Sequence, residues 1–587
     1  MNSMNSEGRI CRNCGRGFQI DPADLDFYRQ IGVPAPTWCP ECRAARRMVW
    51  RNERTYYKRK CNAPGHTEDV ISLHPADIPY TVYDQKYWWS DAWDPMQYGK
   101  EYDFSKPFFE QYAELLHRVP LIALSNTNSV NSEYCSSAAW NKNCHLVSAG
   151  GWNENVMYAN RMVKDKDSLD LYIVDGSELC YDDSYVSGSY RLLYSSNCEG
   201  CSDSWFLYNC KNCRDCIGCA NLRNKQYCIF NEQISKDEYE KRVKELNLGS
   251  RKALEEVRRK FQDEVYVKAI HKYADIVNSV GSTGDHLQNT KNCRDCFDFV
   301  GDDTEDCRYV NWSGFGSKGI YDCGPGAGWK SELLYEGVDI NSSSRIVGGV
   351  VVYDSSDVWW SVHTHGSHNM FGCYGMRNKE YCILNKQYSE EEYEELLPKI
   401  KKHMDEMPYV DKRGVRYGFG EFFPPEIALF AYNETVAEEY FPSTKEKATA
   451  MGYQWRDPET RNYGITLKPT DLPDTIRIVS DDVVKETIGC AHEGKCEEQC
   501  TEAFRITPEE LAFYKKMNIP LPTLCPNCRH YGRLKKRTPM KLWHRGCMCD
   551  NQSHGHSRKC SKEFETSYAP EKPEIVYCEE CYQKEIV

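Results

Sequence analysis

The sequence contains no long apolar run. No stretch of about 18 consecutive apolar residues occurs in the 587-residue chain, so we predict no membrane-spanning helix. The opening residues, MNSMNSEGRI, lack the apolar stretch of about 7–15 residues that a secretory signal needs. The mean hydropathy of −0.70 is typical of soluble proteins. We therefore expect a cytoplasmic protein, and several domains, because the chain is too long for a single core.

Familiar catalytic motifs are also missing. The sequence has no Gly-x-Ser-x-Gly elbow, no His-Glu-x-x-His and no dinucleotide fingerprint. The Gly-rich stretch GPGAGW at 324–329 lacks the Lys and Ser/Thr of a phosphate-binding loop. Enzymatic function is therefore uncertain, and we favour a non-enzymatic protein.

Cysteine, by contrast, is abundant, with 31 residues. Disulfides are disfavoured because there is no signal peptide, the count is odd, and many cysteines stand in Cys-x-x-Cys pairs, which in a non-secreted chain hold zinc or stay reduced. The net charge of −13 is uneven, since the two ends are mildly basic and the centre is acidic. An acidic body repels phosphate backbones, so nucleic-acid binding is plausible only at the ends.

The two ends carry copies of one cysteine motif. CRNCGRGFQIDPADLDFYRQIGVPAPTWCPECRAARR begins at Cys11, and CEEQCTEAFRITPEELAFYKKMNIPLPTLCPNCRHYGR begins at Cys496. The spacing between the two thiol pairs is the same in both copies, and two closely spaced thiol pairs suit tetrahedral Zn²⁺. The predicted ligands are Cys11, Cys14, Cys39 and Cys42 in the first copy and Cys496, Cys500, Cys525 and Cys528 in the second, where Cys490 or His492 could replace Cys496.

This pattern resembles the treble-clef "probable zinc-ribbon" family of bacterial proteins, through its Cys-x2-Cys-Gly-x2-Phe, Phe-Tyr and Cys-x2-Cys-Arg elements. The resemblance covers only the cysteine module in each copy and implies metal binding and a small fold, but no activity. The whole arrangement also resembles multi-zinc-ribbon proteins of bacteria known mainly from metagenomes, in the stretches IGCAHEGKC, AYNETVAEEYFP and FETSYAPEKPEIVYCEECYQ.

A third zinc site is predicted near the end of the chain. His556 stands four residues before Cys560, as Cys496 does before Cys500. The predicted ligands are His556, Cys560, Cys578 and Cys581, with Cys547 or Cys549 as alternatives to His556. The chain would then hold about three Zn²⁺ ions. The corresponding N-terminal segment resembles a finger that has lost its metal, whose aromatic residues pack instead: Tyr83, Tyr87, Trp88, Trp89 and Trp93.

The centre of the chain is duplicated as well. CANLRNKQYCIFNEQISKDEYEKRV begins at Cys219 and CYGMRNKEYCILNKQYSEEEYEELL at Cys373, and each copy runs into a predicted helix with Ser235 or Ser389 as its N-cap. Upstream, short apolar steps alternate with Asn, Asp, Gly and Ser, and helical periodicity is absent, which is typical of many short strands. We predict two right-handed β-solenoid blocks, in which each coil stacks on the last.

The cysteines of residues 198–228 stand on one three-residue register: Cys198, Cys201, Cys210, Cys213, Cys216, Cys219 and Cys228. Most follow Asn, Asp or Gly, which tolerate the left-handed backbone needed at corners. In the second copy Thr364, Ser367 and Met370 replace the central three, and a metal cluster would not survive that exchange. We therefore favour a ladder of small buried side chains over a metal or redox site, and over disulfides.

Two further groups are candidates for function. His363 and His365 would share one face of a strand, which suits a metal or a catalytic base, but the first copy has no matching histidines. Basic residues beside the zinc knuckles, interleaved with aromatic residues, are typical of an RNA or DNA footprint. The alternatives are a solvated helix face, docking onto the acidic centre of the same chain, or a protein partner. These basic residues are Arg43, Arg46, Arg47, Lys535, Lys536 and Arg537.

The predicted fold is mainly β with α: two β-solenoid-like blocks joined by helices and flanked by treble-clef or zinc-ribbon modules. The leading hypothesis is a zinc-binding, non-enzymatic scaffold with a protein partner. The alternatives are nucleic-acid binding through the knuckle helices and an enzyme that uses a solenoid groove; no membrane association is expected. The predicted divisions are an N-terminal zinc finger (1–66), a metal-free finger and aromatic connector (67–120), block A (121–233), a helical connector (234–279), block B (280–387), a helix and ordered connector (388–489) and tandem C-terminal zinc fingers (490–587).

Overall fold

Two large, mostly parallel β-sheets form the centre of the molecule. The computed structural model describes residues 6–458 and 463–587. The first five residues of the predicted N-terminal finger and residues 459–462 of the predicted connector lie outside the described residues. The chain is mainly β with helices, as predicted, and clusters of cysteines lie toward both ends.

The region before the first sheet consists of short strands and helices. Its elements are β1 (Glu7–Ile10), β2 (Gly17–Ile20), α1 (Pro22–Ile31), α2 (Pro40–Met48), β3 (Tyr57–Lys60), β4 (Asp69–Ser72), β5 (Val82–Tyr83), α3 (Gln85–Trp88), α4 (Phe108–Arg118) and β6 (Leu121–Ile122). Both α1 and α2 begin with proline, whose missing N–H is not needed in a first helical turn. Among the aromatic residues expected to pack here, Tyr83, Trp88 and Trp93 are buried, whereas Trp89 is 40% exposed.

The first sheet has twelve strands between Asn126 and Gln233. They are β7 (Asn126–Thr127), β8 (Ser136–Ala139), β9 (His145–Gly151), β10 (Glu154–Val163), β11 (Lys166–Asp175), β12 (Tyr181–Ser187), β13 (Tyr190–Leu193), β14 (Ser196–Glu199), β15 (Ser202–Tyr208), β16 (Arg214–Ala220), β17 (Gln226–Ile229) and β18 (Glu232–Gln233). Parallel partners are 12 residues apart in sequence, as Glu154 is from Lys166. Only β18, the last strand, pairs antiparallel.

The backbone of this sheet turns at regular intervals. The residue before each register cysteine of 198–228 has a positive φ, as the sequence indicates: Asn197, Gly200, Asn209, Asn212, Asp215, Gly218 and Tyr227. Asparagine side chains at such positions also stack, since Asn131 Nδ2 donates to Asn143 Oδ1 and Asn143 Nδ2 donates to Asn155 Oδ1, both at 3.1 Å. Short polar side chains tolerate this left-handed conformation and bond across successive turns.

A helical connector follows, with α5 (Lys236–Leu246), α6 (Arg251–Lys260) and β19 (Ile270–Lys272). The predicted N-cap is present, because the Ser235 side chain accepts a hydrogen bond from the Glu238 backbone N–H.

The second sheet has thirteen strands between Ile276 and Gln387. They are β20 (Ile276–Val277), β21 (Gly284–Lys291), β22 (Cys296–Glu305), β23 (Asn311–Gly314), β24 (Lys318–Cys323), β25 (Glu332–Asn341), β26 (Ser344–Val347), β27 (Val350–Tyr353), β28 (Ser356–Trp359), β29 (Val362–His365), β30 (His368–Phe371), β31 (Glu380–Ile383) and β32 (Lys386–Gln387). Most steps are again 12 residues, but Lys318 pairs with Glu332, 14 residues on. This longer step hides the repeat in the sequence.

The remaining elements follow the second sheet. They are α7 (Glu390–Glu406), β33 (Tyr409–Val410), β34 (Arg416–Tyr417), α8 (Val436–Tyr440), α9 (Lys445–Ala450), β35 (Ile488–Gly489), β36 (Ala503–Phe504), α10 (Pro508–Met517), α11 (Pro526–Leu534), β37 (Trp543–Gly546), β38 (Glu563–Thr566), β39 (Ile575–Tyr577) and α12 (Glu579–Ile586). Ser389 is the N-cap of α7, as predicted, and it forms a capping box with Glu392.

The register cysteines of the first sheet lie in its core. All seven are at most 1% exposed, and all 31 cysteines are free thiols, so the disulfide alternative is wrong. Cys213 Sγ lies 3.4 Å from the Lys211 carbonyl, and its counterpart in the second sheet, Ser367, places its Oγ 3.0 Å from the His365 carbonyl. Cysteine and serine thus fill equivalent buried positions.

The N-terminal cysteine module packs on the second sheet, and the C-terminal module packs on the first. Helix α2, near the N-terminus, packs on β24 and β25 of the second sheet, whereas α11, near the C-terminus, packs on β10, β11 and β12 of the first sheet. The last strand, β39, pairs in parallel with β19 of the helical connector. The ends of the chain are therefore held against its middle.

Candidate metal centres

The first cluster joins the four N-terminal cysteines predicted as ligands. Cys11, Cys14, Cys39 and Cys42 bring their sulfur atoms within 4.8 Å of one another. Cys11 directly follows β1, and Cys39 is the N-cap of α2, so Cys42 lies in the first turn of that helix. The helix N-terminus favours negative charge there, which suits thiolates. The sequence folds this way because a hairpin and a proline-started helix present their cysteines to one point.

Hydrogen bonding already favours a thiolate at the first cluster. The Cys39 backbone N–H donates to Cys11 Sγ at 3.2 Å. The pKa of Cys11 is lowered, mainly by hydrogen bonds from the thiols of Cys39 and Cys42, while the same contact raises the pKa of Cys39 to about 12. These hydrogen bonds favour the thiolate form of Cys11, and a bound cation would let the other thiols ionise as well.

The second cluster differs from the predicted set in one ligand. The sulfur atoms that meet belong to Cys490, Cys500, Cys525 and Cys528. Cys490, which the sequence offered as an alternative, takes the place of Cys496 because it follows β35 as Cys11 follows β1. The Cys525 backbone N–H donates to Cys490 Sγ at 3.3 Å, and hydrogen bonds from the thiols of Cys490 and Cys528 lower the pKa of Cys525.

The third cluster also replaces one predicted ligand. Its sulfur atoms belong to Cys547, Cys560, Cys578 and Cys581. Cys547, again a sequence alternative, stands where His556 was placed, because it directly follows β37. The Cys578 backbone N–H donates to Cys547 Sγ at 3.2 Å, which repeats the bond seen in the other two clusters. The signal that could have identified these first ligands is a cysteine directly after a short hairpin strand.

The displaced residues stay close to the clusters. Cys496 Sγ lies 3.7 Å from Cys528 Sγ, and His556 Nε2 lies 3.6 Å from Cys581 Sγ. Each belongs to a second group of possible metal donors that shares the last cysteine of the neighbouring cluster.

The dimensions of the three clusters match a tetrahedral thiolate site. A Zn–S distance of about 2.3 Å implies sulfur atoms about 3.8 Å apart. Cys14 and Cys39 are 3.8 Å apart, Cys490 and Cys528 also 3.8 Å, and Cys560 and Cys578 4.0 Å. These three tetracysteine groups, each with three of its four cysteines buried, could hold metal ions, and four thiols without oxygen donors suit zinc.

The basic residues of α2 are not at the surface. Arg43, Arg46 and Arg47 are each 1% exposed. Arg43 and Arg47 reach Asp322 at 2.9 and 3.3 Å, and Arg46 pairs with Glu336 and Glu421. The guanidinium groups predicted as a nucleic-acid footprint are thus bound to acidic side chains of the same chain, which is the docking alternative.

The C-terminal basic residues are divided between the interior and the surface. Arg537 is half-buried and donates to the Glu439 carbonyl. Lys535 is mostly exposed and pairs with Glu498, and Lys536 is exposed. On the same helix as the second cluster, Arg529 and Arg533 are buried against Asp170 at 3.0 and 3.1 Å, as their counterparts in α2 are against Asp322.

The two histidines proposed for an enzymatic groove lie under aromatic rings. The Trp88 ring contacts both His363 and His365, and Trp89 covers His365. Burial lowers the pKa of His363 to about 4. A cavity of about 50 Å³ beside His363 and His74 has room for a water molecule or two and not for a larger substrate.

No protein-family model matches the chain, and no curated protein matches it. Among the described residues, no helix is both long enough and apolar enough to span a bilayer.

Proposed function

We propose that this protein is a zinc-binding, non-enzymatic scaffold. Three tetracysteine sites would each hold one Zn²⁺, in modules of the treble-clef or zinc-ribbon kind that the sequence resembles. The observation that carries the proposal is the size of the clusters, whose sulfur–sulfur distances of 3.5–4.0 Å fit a tetrahedral thiolate shell. Zinc has no redox chemistry, and four thiolates leave no open position for a substrate, so such sites are structural.

The two sheets would serve as the rigid body of the scaffold. The 12-residue pairing step, the regular left-handed corners and the stacked asparagines support two β-solenoids, each coil resting on the one before. A solenoid contributes a long, regular surface, and its inward side chains supply the core. The buried cysteines of residues 198–228 would then fill space.

The metal sites would couple to the body through the helices that follow them. Cys42 and Arg43 are adjacent on α2, and Cys528 and Arg529 are adjacent on α11. A cation bound by the cysteine would fix the position of the helix, and the neighbouring arginine on that helix pairs with a buried aspartate. Zinc would therefore stabilise the attachment of each module to its sheet, and the remaining surface would be free for a protein partner.

Metal analysis of purified protein tests the proposal. We expect elemental analysis to find at least three zinc atoms per chain, and the Cys39→Ser/Cys42→Ser double variant to lose one of them. The matched control is Cys213→Ser, which changes a buried cysteine outside the clusters and should keep the full zinc content. Zinc below one atom per chain, or an equal loss in the control, would overturn the assignment of structural zinc to the clusters.

A further inference from the structure

Beside the third tetracysteine cluster lies a second, distinct group of metal donors. Cys549, His554, His556 and Cys581 bring one donor atom each within 4.8 Å of one another. Cys581 also belongs to the tetracysteine cluster, so its sulfur faces both groups. We propose that this module binds two Zn²⁺ ions bridged by the Cys581 thiolate. The proposal rests on the proposed function, because it needs the tetracysteine site to be occupied.

The distances in the second group fit a mixed sulfur and nitrogen shell. With Zn–S of about 2.3 Å and Zn–N of about 2.0–2.1 Å, tetrahedral geometry puts sulfur and nitrogen about 3.6 Å apart. Cys549 Sγ lies 3.3 Å from His554 Nδ1, and Cys581 Sγ lies 3.6 Å from His556 Nε2. Cys549 is fully buried and His554 is 8% exposed, so two of the four donors are shielded from water.

The far nitrogen of each histidine lies within hydrogen-bond distance of an acceptor, and the Asn551 side-chain amide nitrogen also lies 3.2 Å from His554 Nε2. His554 Nε2 lies 3.2 Å from the Glu585 carboxylate, and His556 Nδ1 lies 2.5 Å from the Arg558 carbonyl. Metal-binding histidines have this arrangement, since the proton on the far nitrogen leaves the near lone pair for the cation. The other ring nitrogens, His554 Nδ1 and His556 Nε2, face the thiols of Cys549 and Cys581. Thiols are weak hydrogen-bonding partners, so these nitrogens are available to a cation.

Charge also favours a second ion. Four thiolates around one Zn²⁺ carry two net negative charges. A second Zn²⁺, bound by the Cys549 thiolate and two neutral imidazoles and sharing Cys581, gives a pair with one net negative charge. The binuclear form therefore places less charge in a partly buried position.

The preceding module repeats the arrangement. His492 follows Cys490 by two residues, as Cys549 follows Cys547. Its second donor group, His492, Cys496, Glu498 and Cys528, again shares the last cysteine of a tetracysteine cluster. His492 Nδ1 lies 3.0 Å from a carboxylate oxygen of Glu498, and both atoms are buried. In the N-terminal module only two residues separate Cys11 from Cys14, so no inserted donors exist between them.

Variants of the full-length protein separate the two ions. We expect His554→Ala/His556→Ala to lose one equivalent of zinc and to keep the third tetracysteine site. After Co²⁺ substitution, its thiolate-to-cobalt absorption should therefore stay above that of Cys547→Ser, which lacks this site. Cys549→Ala should lose the same equivalent. His544→Ala is the control, because this exposed histidine on β37 pairs with Glu563 and Glu565 and belongs to neither donor group. The zinc content of this variant should be unchanged.

The outcomes distinguish this proposal from the structural assignment. If Cys547→Ser removes metal while neither His554→Ala/His556→Ala nor Cys549→Ala does, the bridge is wrong and the tetracysteine site stands. If Cys547→Ser removes none, the third structural site is itself wrong. The bridge is supported if His554→Ala/His556→Ala loses one equivalent of zinc while its thiolate-to-cobalt absorption stays above that of Cys547→Ser.

Discussion

The Arg43 guanidinium and the Asp322 carboxylate meet 2.9 Å apart, with both side chains at most 1% exposed. Arg43 follows the last cysteine of the first cluster, and Asp322 lies on β24 of the second sheet. The same relation recurs at the other end of the chain, where Arg529 follows Cys528 and lies 3.0 Å from Asp170. The modules of the first and second clusters are thus each joined to a sheet by a buried ion pair.

Breaking one partner of this pair should be costly. Arg43→Met leaves Asp322 with one guanidinium, Arg47, in place of two, and an underpaired buried charge costs about 3–5 kcal/mol. We expect Arg43→Met to lower the denaturation midpoint markedly. The control is Arg345→Met, which breaks the exposed pair with Asp357 and should cost at most about 1 kcal/mol. Equal midpoints for the two variants in chemical denaturation would contradict the structural role of the buried pair.

The buried cysteines of the first sheet should tolerate replacement by the residues found at the equivalent positions of the second sheet. The triple change Cys210→Thr, Cys213→Ser and Cys216→Met installs residues that are buried at the equivalent positions of the second sheet. Each small volume change costs about 1–3 kcal/mol where packing is tight, so the protein should fold with a lowered melting temperature. Zinc content should not change. Loss of metal from this variant would show that residues 198–228 bind a cation after all.

Some left-handed positions carry residues that are poorly suited to them. Ile173 has a φ of 52°, a region that costs an L-residue roughly 1–2 kcal/mol and that asparagine adopts more readily. We expect Ile173→Asn to raise the melting temperature slightly, by the equivalent of about 1 kcal/mol at most. The comparison is Leu171→Asn, which buries a polar amide in the core and should destabilise strongly. A destabilising Ile173→Asn would show that packing of that side chain outweighs its backbone strain.

A buried histidine should make the protein sensitive to mild acid. Burial lowers the pKa of His74 to about 3, and its ring stacks on Phe430. Because the unfolded pKa is about 6.5, the unfolded chain binds the extra proton, so the stability that neutral His74 provides is present above pH 6.5 and is lost as pH falls toward 3. Between pH 6.5 and 5 the loss is about 1.5 kcal/mol.

Melting temperatures at pH 7.5 and 5.5 measure this effect in the wild type and in His74→Gln. The drop on acidification should be smaller in the variant, because glutamine does not titrate, while metal release by acid affects both proteins alike. Identical drops would mean that His74 is protonated in the folded state.

The sequence predicted much of the architecture because the constraints on it are local. Cys11, Cys14, Cys39 and Cys42 were found from spacing alone, since knuckle geometry is set within a few residues, and the structure brings them together. The corner residues before the buried cysteines were found because asparagine, aspartate and glycine favour positive φ.

In the other two clusters, the first cysteine is the one that follows a short hairpin strand. Inserted residues shift the apparent spacing, so Cys496 and His556 fit the pattern better than Cys490 and Cys547. No local pattern in the sequence predicts the partners of Arg43 and Arg46, because a contact across hundreds of residues leaves no local periodicity. The sequence does not reveal the 12-residue step, because the second sheet contains longer steps and many turn positions are not asparagine or glycine.

The crosswise attachment of the end modules has a consequence for biosynthesis. Arg47 is synthesised 275 residues before Asp322. At roughly 5–20 residues per second, translation needs tens of seconds to supply that partner. The arginines of α2 therefore stay without their acidic partners on the nascent chain until the second sheet emerges. If the first cluster binds zinc, its cysteines have that whole interval in which to bind the ion before the sheet covers them.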